Sequence, residues 1–120
     1  MTVIMRKKDK AVKFDGRGSF KEKLRFDLLP VDALIEVVKI YNYGAKKYPS
    51  DRNWEGGLFW SRVFGSLQRH SWAFWNGEDL DKESGLSHLA HAAWCCLALL
   101  EYARTKRCYD DRPKKKKTKS

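Results

Sequence analysis

The chain contains no apolar run long enough to cross a membrane. Its longest apolar run, Ala92 to Leu100, is about half of the roughly 18–20 residues that a spanning helix needs. The basic stretch at residues 1–10 also lacks the apolar segment of a secretory signal peptide. We therefore expect neither membrane insertion nor secretion and predict a cytoplasmic protein.

Cysteine is scarce, and its spacing is not that of a metal-binding motif. The three cysteines, Cys95, Cys96 and Cys108, form no CxxC pair. Two of them are adjacent in the apolar run, where cysteine usually behaves as a small hydrophobic residue. The odd count and the missing CxxC pair favour a reducing compartment over a disulfide framework.

The middle of the chain has no excess of positive charge. Residues 1–25 hold nine Lys/Arg and three acids, and residues 104–120 hold nine and two, whereas residues 26–103 hold seven and ten, which gives the net charge of +10. Since a DNA-binding domain normally carries its basic patch on the folded part, composition argues against that class. We predict a basic flexible arm over 1–24, a helical domain over 25–107 and a basic disordered tail over 108–120. These ends either keep the protein soluble or make weak contacts with polyanions.

No segment alternates with the period of two that marks a strand, so we predict an all-α fold. A first helix begins near Pro30, whose missing N–H suits a first helical turn, and ends or loosens at Gly44. A loop over 46–57 follows. The second and third helices run from about Phe59 to Trp75 and from about Leu86 to Arg107, with an acidic loop over 76–85 between them.

Helical spacing of the apolar residues predicts the buried face of each helix. The predicted positions are Leu34, Ile35, Val38 and Tyr41 in the first helix; Trp60, Val63, Phe64, Leu67, Ser71 and Phe74 in the second; and Leu86, Leu89, Ala90, Ala93, Trp94, Leu97 and Leu100 in the third. The third helix is apolar nearly all round, which is more than one intramolecular face requires. We therefore predict a small antiparallel bundle of three to four helices, completed by homo-oligomerisation.

All three histidines, His70, His88 and His91, lie within one 22-residue stretch of the chain. His88 and His91 are three residues apart, so they project from the same face of one helix. Because the acidic loop lets the chain reverse, an antiparallel hairpin would bring His70 beside them. The same loop supplies four carboxylates: Glu78, Asp79, Asp81 and Glu83.

Imidazoles and carboxylates together are typical ligands of a divalent cation. The predicted metal ligands are His70, Asp79, Asp81, His88 and His91, for Mg²⁺, Mn²⁺, Co²⁺ or Zn²⁺. An unligated carboxylate, Glu78 or Glu83, would act as general base. In the alternative interpretation the histidines only fill polar gaps in the bundle, and the acids form a solvated loop favoured by the helix dipole.

Basic, amide and aromatic residues outside this hairpin are suited to a nucleotide. Lysine and arginine bind phosphates, asparagine can contact a base edge, and an aromatic ring can stack on a base. The predicted substrate-binding residues are Arg25, Lys47, Arg52, Asn53, Trp54 and Arg69. The alternative is a solvated loop anchored by a buried Trp54.

Several segments resemble a known family. LRFDLLPVDAL, YGAKKY, RNWEGG, SRVFGSLQRH, GEDLDKESGLSHLAHAAW and LLEY, spread over roughly residues 23–102, are similar to the phage-type dATP/dGTP diphosphohydrolase N-terminal domain family. The GED-x-D-x-ESGLxHLxHA segment is the most specific of them. The resemblance implies hydrolysis of a purine deoxynucleoside triphosphate to the monophosphate and pyrophosphate, in the host cytoplasm if the chain is phage-encoded.

The family also resembles the all-α MazG-type pyrophosphohydrolases, which hold Mg²⁺ with carboxylates on helices. This chain lacks a clear EExxE helix, and HLAH (88–91) stands where an ExxD pair would be expected. That departure favours a transition metal over an all-carboxylate magnesium site. Two other classes remain open. One is an HD-like phosphohydrolase, weakened because the chain has no adjacent His-Asp pair, and the other is a non-enzymatic protein that binds nucleic acid through its basic ends.

Overall fold

The computed structural model describes residues 23–114. It contains three α-helices: α1 (Val31–Lys47), α2 (Trp60–Trp75) and α3 (His88–Thr105). Short 3₁₀ turns occupy Phe26–Leu28, Asn53–Gly56 and Arg107–Tyr109. The described residues form no strand, only one isolated antiparallel bridge between Leu80 and Ser87. The predicted all-α fold of three helices is confirmed, whereas most of the predicted arm and the end of the predicted tail lie outside the described residues.

The helices α2 and α3 pack against each other in opposite directions and enclose the core. The core consists of Trp60 and Val63 from α2 with Cys95, Ala98 and Tyr102 from α3. Cys95 and Ala98 have small side chains, which leaves room between the helices for the large aromatic side chains of Trp60 and Tyr102. This packing accounts for the buried position of Cys95 and supports the hairpin that precedes it.

The helix α1 covers a second side of α3 through aromatic contacts. The ring of Tyr41 lies 6.2 Å from that of Trp94 and 5.9 Å from that of Trp54, which follows α1 in the 3₁₀ turn. The hydroxyl of Tyr102 donates a hydrogen bond to the backbone oxygen of Trp54. The loop that carries Trp54 is thereby fixed against both helices.

Gly44 lies inside α1, so the prediction that the helix ends there is wrong. Glycine inside a helix costs roughly 1 kcal/mol relative to alanine, but the helix continues for three more residues to Lys47. These residues include Lys47, whose ammonium binds Glu83 in the loop before α3. Lys46 and Lys47 are therefore helical residues and not part of the predicted loop.

The buried face of α3 differs from the predicted one. Leu89, Leu97 and Leu100 are 47%, 42% and 70% exposed, whereas Ala98 and Tyr102 are fully buried. A helix that is apolar on nearly every side has no periodicity that selects one face. In α2, similarly, Trp60 and Val63 are buried but Phe64 is exposed. Leu34, Ile35 and Val38 of α1 are also largely exposed, and Ile40 is the buried residue of that helix.

Residues beyond 107, which we predicted as tail, still pack against the start of α2. The Tyr109 ring makes an edge contact with Phe59 at 5.3 Å between centroids. An Asp111 carboxylate oxygen accepts a hydrogen bond from the backbone N–H of Ser61 at 2.8 Å. The packed part of the chain therefore extends beyond residue 107, where we predicted the helical domain to end.

Within residues 23–114, none of the helices combines the length and the hydropathy needed to cross a bilayer.

Candidate metal and nucleotide site

The loop between α2 and α3 brings the histidines together. It begins with Gly77 and ends near Gly85, and both glycines have positive φ angles, 96° and 72°, that other residues rarely adopt. Across the loop, the backbone N–H of His88 donates to the oxygen of Asp79 at 2.9 Å. The hydroxyl of Ser87 then accepts from the N–H of Ala90 and caps α3. The reversal places the start of α3 beside the second half of α2.

The three imidazoles form one cluster. Nδ1 of His70 lies 2.8 Å from Nδ1 of His88. The His70 and His91 rings are stacked, with centroids 4.4 Å apart and an interplanar angle of 5°. His70 therefore contacts both histidines of α3, as the hairpin predicts.

Two acids of the loop reach this cluster from different sides. A carboxylate oxygen of Glu78 lies 2.7 Å from Nε2 of His88. Asp81 accepts from the backbone N–H of Ser84 at 2.8 Å and lies 4.0 Å from Nε2 of His91. The same His91 nitrogen is 2.7 Å from the Ser84 hydroxyl oxygen. Each imidazole thus has a polar partner within the loop or the opposite helix.

Burial keeps the His70 and His91 imidazoles neutral at ordinary pH. Burial and the neighbouring His91 lower the pKa of His70 to about 4, and burial likewise lowers the pKa of His91. Burial alone would raise the pKa of Asp81, but hydrogen bonds from Ser84 outweigh it and lower that pKa. At neutral pH the cluster therefore offers imidazole lone pairs beside a charged carboxylate.

Among the described residues, His70, Asp81 and His88 have the geometry of a metal site. Each offers one ligand atom, and these atoms lie within 4.8 Å of one another. Two imidazoles and one carboxylate form a donor set that suits a divalent transition metal. The residues present therefore fit the divalent cation that the sequence predicts.

A cavity of about 530 Å³ opens beside this cluster. Its polar side is lined by His70, Asp81, Glu83, His91, Lys47 and Arg69. Its aromatic side is lined by Tyr41, Trp54 and Trp94, together with the polar residues Asn53 and Ser66. One cavity thus combines a possible cation site, two basic side chains and flat apolar surfaces.

An ion pair bridges α1 and the loop at the polar side of the cavity. The Lys47 ammonium donates to a Glu83 carboxylate oxygen at 2.9 Å, and the Tyr43 hydroxyl donates to the same oxygen at 3.4 Å. The hydrogen bond raises the pKa of Lys47 and lowers that of Glu83. Both groups therefore stay charged at neutral pH and line the cavity.

Five sequence-predicted residues do not line this cavity. Arg25 pairs with Asp27 before α1, and Arg52 pairs with Glu55 with its side chain 77% exposed. Asp79 is an exposed residue of the loop. His88 and Glu78 lie behind His70, where they contact each other.

The structure adds residues that the sequence analysis did not select. Tyr43 contacts the His91 ring edge-on, with centroids 6.4 Å apart, and Ser84 bonds both His91 and Asp81. Tyr41 and Trp94 supply aromatic walls of the cavity. Ser84 directly follows Glu83 and lies three residues after Asp81, a signal that sequence reasoning could have used. The tyrosines carried no such signal, because at helical spacing they are indistinguishable from core residues.

The family model described as dATP/dGTP diphosphohydrolase, N-terminal, matches residues 14–112 of the chain. Searches among curated proteins and among solved structures found no match. The matched range includes every residue of the histidine cluster and of the cavity.

Proposed function

The chain belongs to the dATP/dGTP diphosphohydrolase N-terminal family, and we propose that it hydrolyses dATP or dGTP to the monophosphate and pyrophosphate. The observation that carries this proposal is the cavity in which the imidazole–carboxylate cluster, two basic side chains and an aromatic wall face the same space. A nucleoside triphosphate needs positive groups for its phosphates and a flat apolar surface for its base. The site thus suits the substrate class that the family description names.

The proposed metal ligands are His70, Asp81 and His88, with His91 stacked beside them. Their nitrogen and oxygen atoms suit Mn²⁺, Co²⁺ or Zn²⁺, with Mg²⁺ as the harder alternative. A divalent cation would supply neutralisation of phosphate charge and a lowered pKa of water. Asp79 is left out of this ligand set because it is exposed and does not belong to the group of ligand atoms that lie within 4.8 Å of one another.

Glu83 is the proposed general base, since it lines the cavity and Glu78 does not. In the free protein Lys47 holds the pKa of Glu83 low, which makes the carboxylate a weak base. A triphosphate that draws the Lys47 ammonium to itself would release Glu83 to accept a proton from the attacking water. Lys47 and Arg69 would then bind phosphate oxygens.

The aromatic side of the cavity is the proposed base site. Trp54 and Trp94 lie with their ring centroids 6.2 Å apart and nearly perpendicular, so a purine can stack on one ring and meet the edge of the other. The Asn53 amide lines the same space and can both donate and accept hydrogen bonds at a base edge.

The test is hydrolysis of dATP and dGTP with Mg²⁺, Mn²⁺ or Co²⁺, with the products resolved by chromatography. Monophosphate with pyrophosphate is the expected result. Release of inorganic triphosphate would contradict the proposal and indicate the HD-like reaction. Absence of hydrolysis with every metal would also contradict it and favour a binding protein. In that case removal of residues 113–120 would test whether the basic tail binds polyanions.

We also propose that the chain self-associates. Leu34, Ile35 and Val38 form an exposed apolar stripe on α1, and Leu97 and Leu100 are exposed on α3. Covering such apolar surface with a second copy of the chain would contribute about 25 cal/mol of favourable free energy for each Å² removed from water. Sedimentation should show a dimer or larger assembly, and a stable monomer at micromolar concentration would contradict the proposal.

A further inference from the structure

Glu78 contacts the histidine cluster through His88 but does not line the cavity. One of its carboxylate oxygens lies 2.7 Å from Nε2 of His88, and the other lies 3.7 Å from the Lys82 ammonium. His88 itself is only 5% exposed and is the buried polar residue of the described core. A general base must reach the proton that it removes, and Glu78 does not line the cavity where the substrate would lie.

The contact with Glu78 decides where the proton of His88 resides. A carboxylate oxygen can only accept a hydrogen bond, so Nε2 of His88 must donate. A neutral imidazole has one N–H, which leaves Nδ1 of His88 as a lone pair. That nitrogen faces Nδ1 of His70 at 2.8 Å, so in the metal-free protein His70 must donate from its own Nδ1. In their neutral forms, His70 and His88 therefore carry their protons on different ring nitrogens.

We propose that Glu78 is a positioning residue that holds the proton on His88 Nε2 and keeps the Nδ1 lone pair directed into the space shared with His70 and Asp81. Metal-binding histidines commonly donate their distal N–H to such a carboxylate, which orients the ring and raises its basicity. The inference rests on the proposed metal-dependent function, and it replaces the predicted role of Glu78 as general base.

The first experiment uses the metal-free wild-type protein and does not depend on hydrolysis. Two-dimensional ¹⁵N NMR of the histidine rings at neutral pH distinguishes the Nδ1–H, Nε2–H and doubly protonated forms. We expect His88 as the Nε2–H form and His70 as the Nδ1–H form. The Nδ1–H form or the doubly protonated form at His88 would overturn the proposal.

The second experiment compares three variants by Mn²⁺ and Co²⁺ titration. Glu78→Ala should lose the fixed proton arrangement and weaken metal binding by about 10–100-fold. Glu78→Gln keeps a carbonyl oxygen that can accept from Nε2, so it should retain affinity within a few-fold of wild type. The control is Asp79→Ala, which removes a neighbouring exposed carboxylate and leaves intact the backbone oxygen that bonds His88.

Equal affinities of Glu78→Ala and Asp79→Ala would overturn the proposal, as would a wild-type protein that binds neither metal. If Glu78→Ala does not fold, Glu78→Gln and the wild-type spectrum still decide the matter. Metal binding and histidine spectra as expected, without hydrolysis of dATP or dGTP, would leave the positioning role standing. Only the proposed function would then fail.

Discussion

The two ends of the α2–α3 pair differ in chemistry although the same two helices form both. At one end Trp60, Cys95 and Tyr102 pack into an apolar core. At the other end His70 and His88 meet across the helices, and burial lowers the pKa of His70 to about 4. Burial of apolar side chains stabilises the fold at the first end. Burial of the imidazoles at the second end costs stability but leaves their lone pairs available. The stabilising core and the proposed metal site therefore lie at different turns of the same two helices.

The largest effect on stability is expected at the apolar end. Tyr102→Ala removes a fully buried ring and its hydrogen bond to Trp54, and should lower the free energy of unfolding by about 3–5 kcal/mol. Urea denaturation measures this loss. The control is Cys96→Ala, an exposed position on the same helix, which should change stability by less than about 0.5 kcal/mol. Similar losses in both variants would contradict the assignment of the core.

At the polar end, activity and not stability should change. His70→Ala removes a proposed ligand and should lower both metal affinity and turnover by about 100-fold or more. Its unfolding free energy without metal should not fall, because a buried, desolvated imidazole is lost. Gln68→Ala, an exposed position of α2, serves as the control in the same metal titration and chromatographic assay. If His70→Ala retained normal activity, the polar end would not be part of the active site.

A smaller effect is expected at the wall of the cavity. Lys47→Ala should raise KM for dATP or dGTP by about 10-fold, because one charge-assisted contact to phosphate is lost. Arg52→Ala is a matched control, since it also removes a cation with a carboxylate partner but lies outside the cavity. Steady-state kinetics should leave KM of the control unchanged. Equal effects of both substitutions would indicate a general electrostatic influence and not a phosphate contact.

The smallest effect is expected from pH. The pKa of His70 is about 4 in the folded chain and near 6.5 when unfolded, so between these values the unfolded chain binds more protons. Stability of the metal-free protein should therefore fall as pH drops from 6.5 to 4. Because the ring is partly exposed, the His70 share should be on the order of 1 kcal/mol. Denaturation at several pH values should show a flatter profile for His70→Ala, and an identical profile would contradict the assignment.

Local patterns of the sequence were sufficient to predict the helices. Pro30 precedes α1, and helical spacing with acidic and glycine-containing loops marks α2 and α3 within a few residues. The helix end predicted at Gly44 is wrong, which shows that local propensity alone does not decide where a helix ends. The glycine cost of roughly 1 kcal/mol does not stop α1, which continues to Lys47 and contacts Glu83 there.

The candidate site was predictable in part. His70, His88 and His91 could be brought together by reasoning from one hairpin, because only a short loop separates them. The aromatic wall could not be anticipated. Trp94 and Tyr41 belong to different helices, and nothing in their spacing distinguishes a cavity wall from a core.

By itself the sequence determined the three helices and the reversal that gathers the histidines, because both depend on residues close together along the chain. Only the tertiary structure decided which face of α3 is buried, since that helix is apolar on nearly every side. It also decided that Lys47 reaches Glu83 from 36 residues away and that Glu78 contacts His88 and not the cavity. Glu78 and Glu83 belong to the same loop, but Glu78 contacts α3 and Glu83 contacts α1, so we propose different roles for them.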